Sequence, residues 1–482
     1  MGKPGTLTGE EFGAHFQNFL EQLAVRSSAG EPPFRSRLRS HFGAEPSQYP
    51  IVAEEFERSE HPNLQLAIDG FLAEEGRSSE LLGVTSDQNS SYRGVGLSEL
   101  LAPPSTGHGG HSSHVPGPVE YTNVVVSQAE VLPCVQRGLY LIQGGDRRLA
   151  LLVRGPSEMS FRKKIHVEVM APDRADAERF LGGVRAAMRK RNVYRGGVVS
   201  LAMDAYGDLH VQFHRLAKVD RAQIILPSGL LERIERQTVR FARHSEKLLA
   251  AGRHLRRGIL LHGPPGTGKT FTAMYLAGQM SDRTVLLLTG RGLGTIEQSC
   301  AMANALQPAM VILEDVDLVA EERTRPGASC TVLLFELLNQ MDGLADDSDV
   351  IFLLTTNRPD ILEPALASRP GRVDQAIEIP LPDSDCRRRL FALYSRGLMV
   401  RADNLELFIE RTEGASAAFI RELMRKAALF AAEEGAGGGE AIEVENRHIG
   451  EALHELVIQG GQLTQSLLGV KRSKTVYRDV GS

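Results

Sequence analysis

Eight consecutive residues carry the clearest chemistry in this chain. Gly263-Pro264-Pro265-Gly266-Thr267-Gly268-Lys269-Thr270 has the spacing G-x-x-x-x-G-K-[ST]. The apolar run Gly258-Ile259-Leu260-Leu261 precedes it and Phe271–Met280 follows with helical character, which is the strand–loop–helix context the motif requires. A polyphosphate must be met by several inward-pointing backbone N–H groups, and glycines allow that close approach. The following helix N-terminus adds positive dipole. Lys269 is expected to reach the β- and γ-phosphates, and the Thr270 hydroxyl to ligate Mg²⁺.

Two later stretches fit the same chemistry. Met310-Val311-Ile312-Leu313 reads as a buried strand ending in Glu314-Asp315-Val316-Asp317. Carboxylates at a strand's C-terminal end face the same crevice as the phosphate loop. One acid should hold the metal and the next should orient the attacking water. Val350–Leu354 reads as another buried strand, capped by Thr355-Thr356-Asn357. Asn357 donates and accepts hydrogen bonds at once, which suits a sensor of the γ-phosphate. Arg369 and Arg372 flank the tight turn Pro370-Gly371. Their planar, permanently charged guanidinium groups suit phosphoryl oxygens, the alternative being local pairing with acids or solvent.

Taken together, these motifs resemble the AAA family of ring ATPases over roughly residues 225–457. That family usually writes the acid pair as Asp-Glu-x-Asp; here the first two acids are exchanged. The resemblance puts Glu314 at the magnesium position and Asp315 at the water-polarising position. The exchanged order is similar to that of the mitochondrial translocase of the folded Rieske iron–sulfur protein and its bacterial relatives. Ile361–Asp374 resembles the family's second region of homology, which implies that Arg369 and Arg372 are arginine fingers reaching a neighbouring subunit's γ-phosphate. The resemblance further implies ATP and Mg²⁺ as cofactors, hydrolysis to ADP and phosphate, a homo-oligomeric ring that the family makes a hexamer, and an ATP-driven role on a protein client. A slow nucleotide-dependent switch or scaffold, favoured by the short Asp315, is the alternative. A nucleic-acid-handling ATPase is the weaker one.

Some family features are missing or altered. The stretch Thr289–Ile296, where threading motors carry an aromatic, has none, so remodelling of a folded partner or assembly control is expected rather than threading. Related zinc proteases carry H-E-x-x-H after the lid; here His454-Glu455-Leu456-Val457-Ile458 lacks the second histidine, and a zinc site is not expected. Gly414–Phe419 resembles the family's contact with the nucleoside, with Ala417 in place of a glycine; a plain helix cap is the other reading.

These residues need a parallel α/β scaffold, and the chain of 482 residues has room for it and more. The expected fold is a P-loop NTPase core with a parallel sheet plus a helical lid, preceded by a small α+β domain and an N-terminal helical region. The expected boundaries are 1–101, mostly helical; 102–118, a Pro/Gly/Ser-rich linker; 119–215, an α+β recognition domain; 216–383, the α/β core; 384–457, the lid; and 458–482, a tail. Within the recognition domain, Val198–Leu216 reads as a hairpin around Gly207-Asp208. His108, His111 and His114 fall in the linker and read as solvated.

Composition is that of a globular protein, with 42% hydrophobic and 24% charged residues and a net charge of −5. That balance argues against bulk nucleic-acid binding. Arg185, Arg189, Lys190, Arg191 and Arg195 read as a solvated, partly paired helix face. Cys134, Cys300, Cys330 and Cys386 form no C-x-x-C pair, so neither a disulfide framework nor a zinc ribbon is expected. No apolar run reaches about 18 residues and the first residues carry acids early, so no membrane span, no export leader and a cytoplasmic location are expected.

Overall fold

The computed structural model describes residues 32–86, 95–102, 114–127, 129–156, 163–204, 207, 209–289, 294–317, 331–345, 347–360, 373–434 and 442–459. The chain forms two compact units, Met1–Val193 with Asp204–His210, and Tyr194–Met203 with Val211–Ser482.

The first unit runs α1 (Pro33–Phe42), β1 (Ile51–Phe56), α2 (His61–Leu72), β2 (Arg77–Ser86), α3 (Leu97–Leu101), β3 (His114–Gly117), β4 (Glu120–Val125), β5 (Val131–Gly144), β6 (Arg147–Arg154), β7 (Ile165–Met170) and α4 (Arg174–Lys190). Its sheet has the order β1-β7-β6-β5-β2-β3, with β4 also on β5, and its paired strands are antiparallel. Both faces are covered, which explains the near-continuous apolar runs of β5 and β6. Leu139, Leu141, Ala150 and Leu152 lie with Phe34 and Leu38 of α1 and Leu97 and Leu100 of α3. The alternate residues Tyr140, Ile142, Leu149, Leu151 and Val153 lie with Leu64 and Ile68 of α2 and Phe180 and Val184 of α4. Two buried polar residues of α2 serve β5: Gln65 Oε1 accepts from the Val135 N–H at 2.9 Å, and His61 Nε2 lies 3.0 Å from the Val135 carbonyl.

This unit differs from the sequence expectation in three ways. Residues 51–56 and 77–86 are strands inside a region read as mostly helical. Register explains it: Ile51 through Phe56 pair with Met170 through Ile165, and Arg77 through Gly83 pair with Gly144 through Gly138. Such long-range partners are invisible to local periodicity. The helix read over Phe56–Glu75 is confined to His61–Leu72, with Phe56 ending β1. Finally, no boundary falls at residue 118, because strands on both sides of it share one sheet. His108 and His111 lie outside the described residues, and His114 opens β3. Arg185 pairs with Glu54 at 2.9 Å.

The second unit contains β8 (Val198–Met203), the end of β9 (Leu209–Phe213), α5 (Leu230–Glu235), β10 (Arg257–His262), α6 (Lys269–Gly278), β11 (Thr284–Leu288), α7 (Ile296–Ala305), β12 (Ala309–Leu313), α8 (Thr331–Gly343), β13 (Val350–Thr356) and β14 (Gln375–Glu378). The sheet order is β14-β10-β13-β12-β11-β8-β9. Neighbours from β14 to β8 are parallel. Strand β8 therefore extends this parallel sheet, through Val198 and Val199 opposite Val285 and Leu286, instead of belonging to the preceding α+β domain. A hairpin reading sees the turn but not which sheet the pair joins.

One face of this sheet buries Ile259, Leu261, Met310, Ile312, Ile351 and Leu353 against Ala273, Leu276 and Ala277 of α6 and Ile234 of α5. Leu260, Val311, Phe352 and Leu354 between them are buried as well. Then follow α9 (Ser384–Tyr394), β15 (Met399–Arg401), α10 (Leu405–Arg411), α11 (Ala417–Glu434), β16 (Glu443–Glu445) and α12 (Asn446–His454), which close on their own core of Phe391, Phe408, Phe419, Leu423 and Ile449. This is the expected helical lid. The thiols of Cys134, Cys300 and Cys386 are free and buried, and burial pushes each up to about 12. The tail from residue 460 lies outside the described residues.

Candidate active site

Sheet order and register bring the sequence motifs together. Strands β10, β13 and β12 are consecutive neighbours. His262 lies opposite Thr356, and Leu313 lies opposite Leu354. The parallel strands therefore end side by side, and the phosphate loop, Asn357 and the Glu314-Asp315 pair emerge at one edge.

The loop is shaped by glycines where no side chain fits. Gly263 has φ +146°, and a Cβ there would stand 2.1 Å from the Ile379 carbonyl oxygen. Gly266 has φ +73°, and its Cβ would stand 2.7 Å from Ser416 Oγ and 2.9 Å from Ala418 Cβ. Thr267 Oγ1 donates to the Pro264 carbonyl at 2.9 Å. Lys269 is buried, and its Nζ donates to the carbonyls of Gly263 at 2.9 Å and Pro264 at 2.8 Å. Burial pulls its ammonium down to about 8, against the opposing pull of the Asp315 and Asp317 carboxylates. A buried cation beside acids at a helix N-terminus is equipped to take a polyanion.

Glu314 and Asp315 differ in surroundings. Burial raises the Glu314 carboxyl above the ordinary range, the hydrogen bond with Thr270 lowers it, and nearby Asp315 raises it. Its Oε1 is buried and has no hydrogen-bond partner. An orphaned carboxylate oxygen next to a threonine hydroxyl is a hard-oxygen donor pair that fits Mg²⁺. Asp315 has φ +50°, the non-glycine residue of positive φ among the described residues. That conformation costs on the order of 1 kcal/mol. It is held from two sides: its N–H donates to Thr355 Oγ1 at 3.1 Å, and its Oδ1 accepts from Asn357 Nδ2 at 3.2 Å. Asp317 Oδ1 accepts from Thr356 Oγ1 at 2.9 Å and from the Asn357 N–H at 3.1 Å.

A cleft of about 1160 Å³ opens over the loop. Gly266 through Thr272, Asp315 and Asn357 line it, with the apolar Ile224, Leu226, Leu390, Leu393 and Tyr394 and the charged Arg396, Arg421, Glu422 and Arg425. Ala417 and Ala418 of the lid also line it. Ser416 is fully buried, and its Oγ accepts from the Phe419 N–H at 3.2 Å. The start of α11 is therefore capped, as one reading had it, while the next two residues face the cleft, as the other had it.

The structure thus gathers Gly263 through Thr270, Glu314, Asp315 and Asn357 in one place. Arg369, Arg372 and residues 290–293 of the supposed threading stretch lie outside the described residues. His454 is on α12, and Glu455 is paired with Lys426. Sequence reasoning missed the roles of Thr355, Thr356 and Asp317, and the apolar wall from residues 224–226. The hydroxyl pair beside the sensor was a usable signal; the wall had none.

The comparisons with known proteins agree with this geometry. Residues 259–381 match the profile of the ATPase family associated with various cellular activities (AAA). The chain is 33% identical over 297 residues to the ATP-dependent zinc metalloprotease FtsH of Rhodothermus marinus, covering 58% of this chain and 40% of the relative. It is 31% identical over 288 residues to the chloroplastic FTSH of Nicotiana tabacum, covering 56% and 38%. It is 33% identical over 272 residues to FtsH of Thermotoga maritima, covering 52% and 43%. The chain spans about two fifths of the length of these curated relatives. Within the second unit, residues 259–381 are thus similar to an AAA-type ATPase domain, and the loop and acids gathered there fit Mg²⁺ and ATP.

Proposed function

We propose that this protein is a Mg²⁺-dependent ATPase that assembles into a ring and uses hydrolysis to remodel, or control the assembly of, a folded protein partner. The observation that carries the reading is the meeting of Lys269, Glu314, Asp315 and Asn357 at the ends of neighbouring strands.

In this reading the loop N–H groups and Lys269 bind the β- and γ-phosphates. Thr270 and Glu314 would hold Mg²⁺, which when bound neutralises charge between the β- and γ-phosphate oxygens. Asp315 orients the attacking water and accepts its proton. Asn357 donates its free side-chain N–H to the γ-phosphate, and its Oδ1 accepts from that water. Arg369 and Arg372 complete the site of the adjoining subunit. The apolar wall of the cleft receives the base.

The exchanged acid order and the aromatic-free stretch 289–296 support action on a folded client. This is the branch resembling the Rieske-protein translocase and its bacterial relatives. The relatives' names include a zinc protease activity; here the string His454-Glu455-Leu456-Val457-Ile458 lacks the second histidine of a zinc-binding pair. No described helix is long and apolar enough to cross a membrane. We place the chain in the cytoplasm, where its cysteines stay reduced. A slow switch or scaffold is the second reading, favoured by the short side chain and left-handed backbone of Asp315.

Mixing tests the ring. Lys269→Ala chains bind no nucleotide, and Arg369→Ala chains lack a finger; each alone should be nearly inactive. Mixed, a Lys269→Ala chain lends its arginine to the intact loop of its neighbour, and activity should return in part. No recovery, together with wild-type turnover that is independent of protein concentration, would sink the ring reading. A turnover rate that a client cannot raise would favour the switch.

A further inference from the structure

We infer that Asp317 is a positioning residue of the ATPase reaction, acting through Asn357. The inference rests on the reading of Asn357 as the γ-phosphate sensor. That reading gives Asp317 no part of its own: it lies two residues beyond Asp315 and touches neither the loop nor Thr270 by any hydrogen bond among the described residues.

Its surroundings are specific. Asp317 is only 5% exposed. A single oxygen, Oδ1, accepts both Thr356 Oγ1 at 2.9 Å and the Asn357 N–H at 3.1 Å. Thr356 Oγ1 in turn accepts from the Arg358 N–H at 3.0 Å, so the residues on both sides of the sensor are tied to one point. Asn357 then reaches Asp315 Oδ1 at 3.2 Å. The chain of contacts runs from Asp317 to the sensor peptide, from the sensor side chain to the water-orienting carboxylate, and back to β13 through Thr355 and the Asp315 N–H.

A buried carboxylate is costly unless bonded, and a leucine at this position would avoid that cost. What the carboxylate adds is one bond to the peptide N–H of the sensor and one to the hydroxyl of the residue before it. Small errors in sensor placement matter because near-attack geometry is sensitive at the ångström scale. Asp317 therefore sets where the Asn357 amide points, and through it where Asp315 holds water.

The test uses the full chain and reads turnover and binding separately, the latter with a ribose-labelled fluorescent ATP analogue. Asp317→Ala should lower kcat about tenfold or more while analogue affinity stays within about twofold. Asp317→Asn keeps an acceptor oxygen and should recover most of that loss. In an Asn357→Ala background, Asp317→Ala should lower kcat no further, because the group it positions is gone. Should Asp317→Ala not fold, Thr356→Val removes one of the two bonds and should lower kcat about threefold with affinity retained. Multiplying losses in the Asn357→Ala background would overturn the proposal, as would loss of affinity in place of turnover. Parental turnover by Asn357→Ala alone would instead refute the sensor reading, and this inference with it.

Discussion

The backbone N–H of Ala418, in the first turn of the lid helix, donates to the carbonyl of Gly266 in the phosphate loop at 3.0 Å. Lid and loop are therefore joined directly by the chain that must cradle phosphate. The absence of a side chain at Gly266 is what lets them approach, since a Cβ would collide with Ser416 Oγ and Ala418 Cβ.

Gly266→Ala should strain the loop twice, by its φ of +73° and by the lid contact. We expect a cost of about 1–3 kcal/mol and a clear rise in KM for ATP, with the two read together from thermal melts and turnover. Thermal melts followed by far-ultraviolet circular dichroism suit a chain without tryptophan.

Asp315→Asn should retain ATP and lose turnover by about a hundredfold, because the amide cannot accept a proton from water. Analogue binding and phosphate release measured on the same preparation check both halves. Equal loss of binding would place Asp315 in the binding site instead.

Restoring the usual family order, Glu314→Asp with Asp315→Glu, should reduce turnover by about tenfold or more. The shorter acid retreats from the hydroxyl of Thr270, which here bonds to Glu314. The longer one extends from a left-handed backbone tied to Thr355 and Asn357. A gain in turnover would show that the exchange is a handicap and not a fitted pair.

Lys269 gives a pH signature. Burial lowers its ammonium to about 8, below the ordinary lysine value, so about half of the nucleotide-free protein carries the neutral amine near pH 8. Phosphate binds the charged form. ATP binding near pH 8 should therefore take up about half a proton, vanishing towards pH 6.5, and affinity should fall as pH rises past 8. Calorimetry in buffers of different ionisation enthalpy measures this. For stability the sign is separate: between about 8 and the ordinary lysine value the unfolded chain binds more protons, so this group's contribution rises with pH across that window. Glu314, raised by burial, acts oppositely: its contribution falls as pH climbs from the ordinary glutamate value towards its folded value.

Asp349→Ala should be among the more damaging changes away from the site. Arg283 is 2% exposed and donates to both carboxylate oxygens of Asp349, at 2.7 and 2.8 Å. Removing the acid leaves a buried guanidinium without its counter-ion, at a cost of about 3–5 kcal/mol. Replacing both residues by apolar ones of similar size should recover much of that loss in the melting temperature.

What the sequence determined by itself was local. The phosphate loop, its strand and its helix are contiguous, and Gly263–Thr270 must take up that turn to satisfy its own geometry. Glu314, Asp315 and Asn357 were legible because each ends a run of apolar residues too regular to be anything but a buried strand. Tertiary structure decided what those strands stand beside. The order β10-β13-β12 places the motifs together, and it places β8 in the ATPase-type sheet rather than in the preceding unit. It also turned Ile51–Phe56 and Arg77–Ser86 into strands by giving them distant partners in β7 and β5. The small polar contacts at the site, Asp317 on Thr356 and Ala418 on Gly266, exist only once separate segments meet. The physical reason is the same throughout. Periodicity and turn chemistry act between residues a few positions apart, whereas sheet pairing, burial and hydrogen bonds between ends of strands depend on partners that only the folded chain brings within reach.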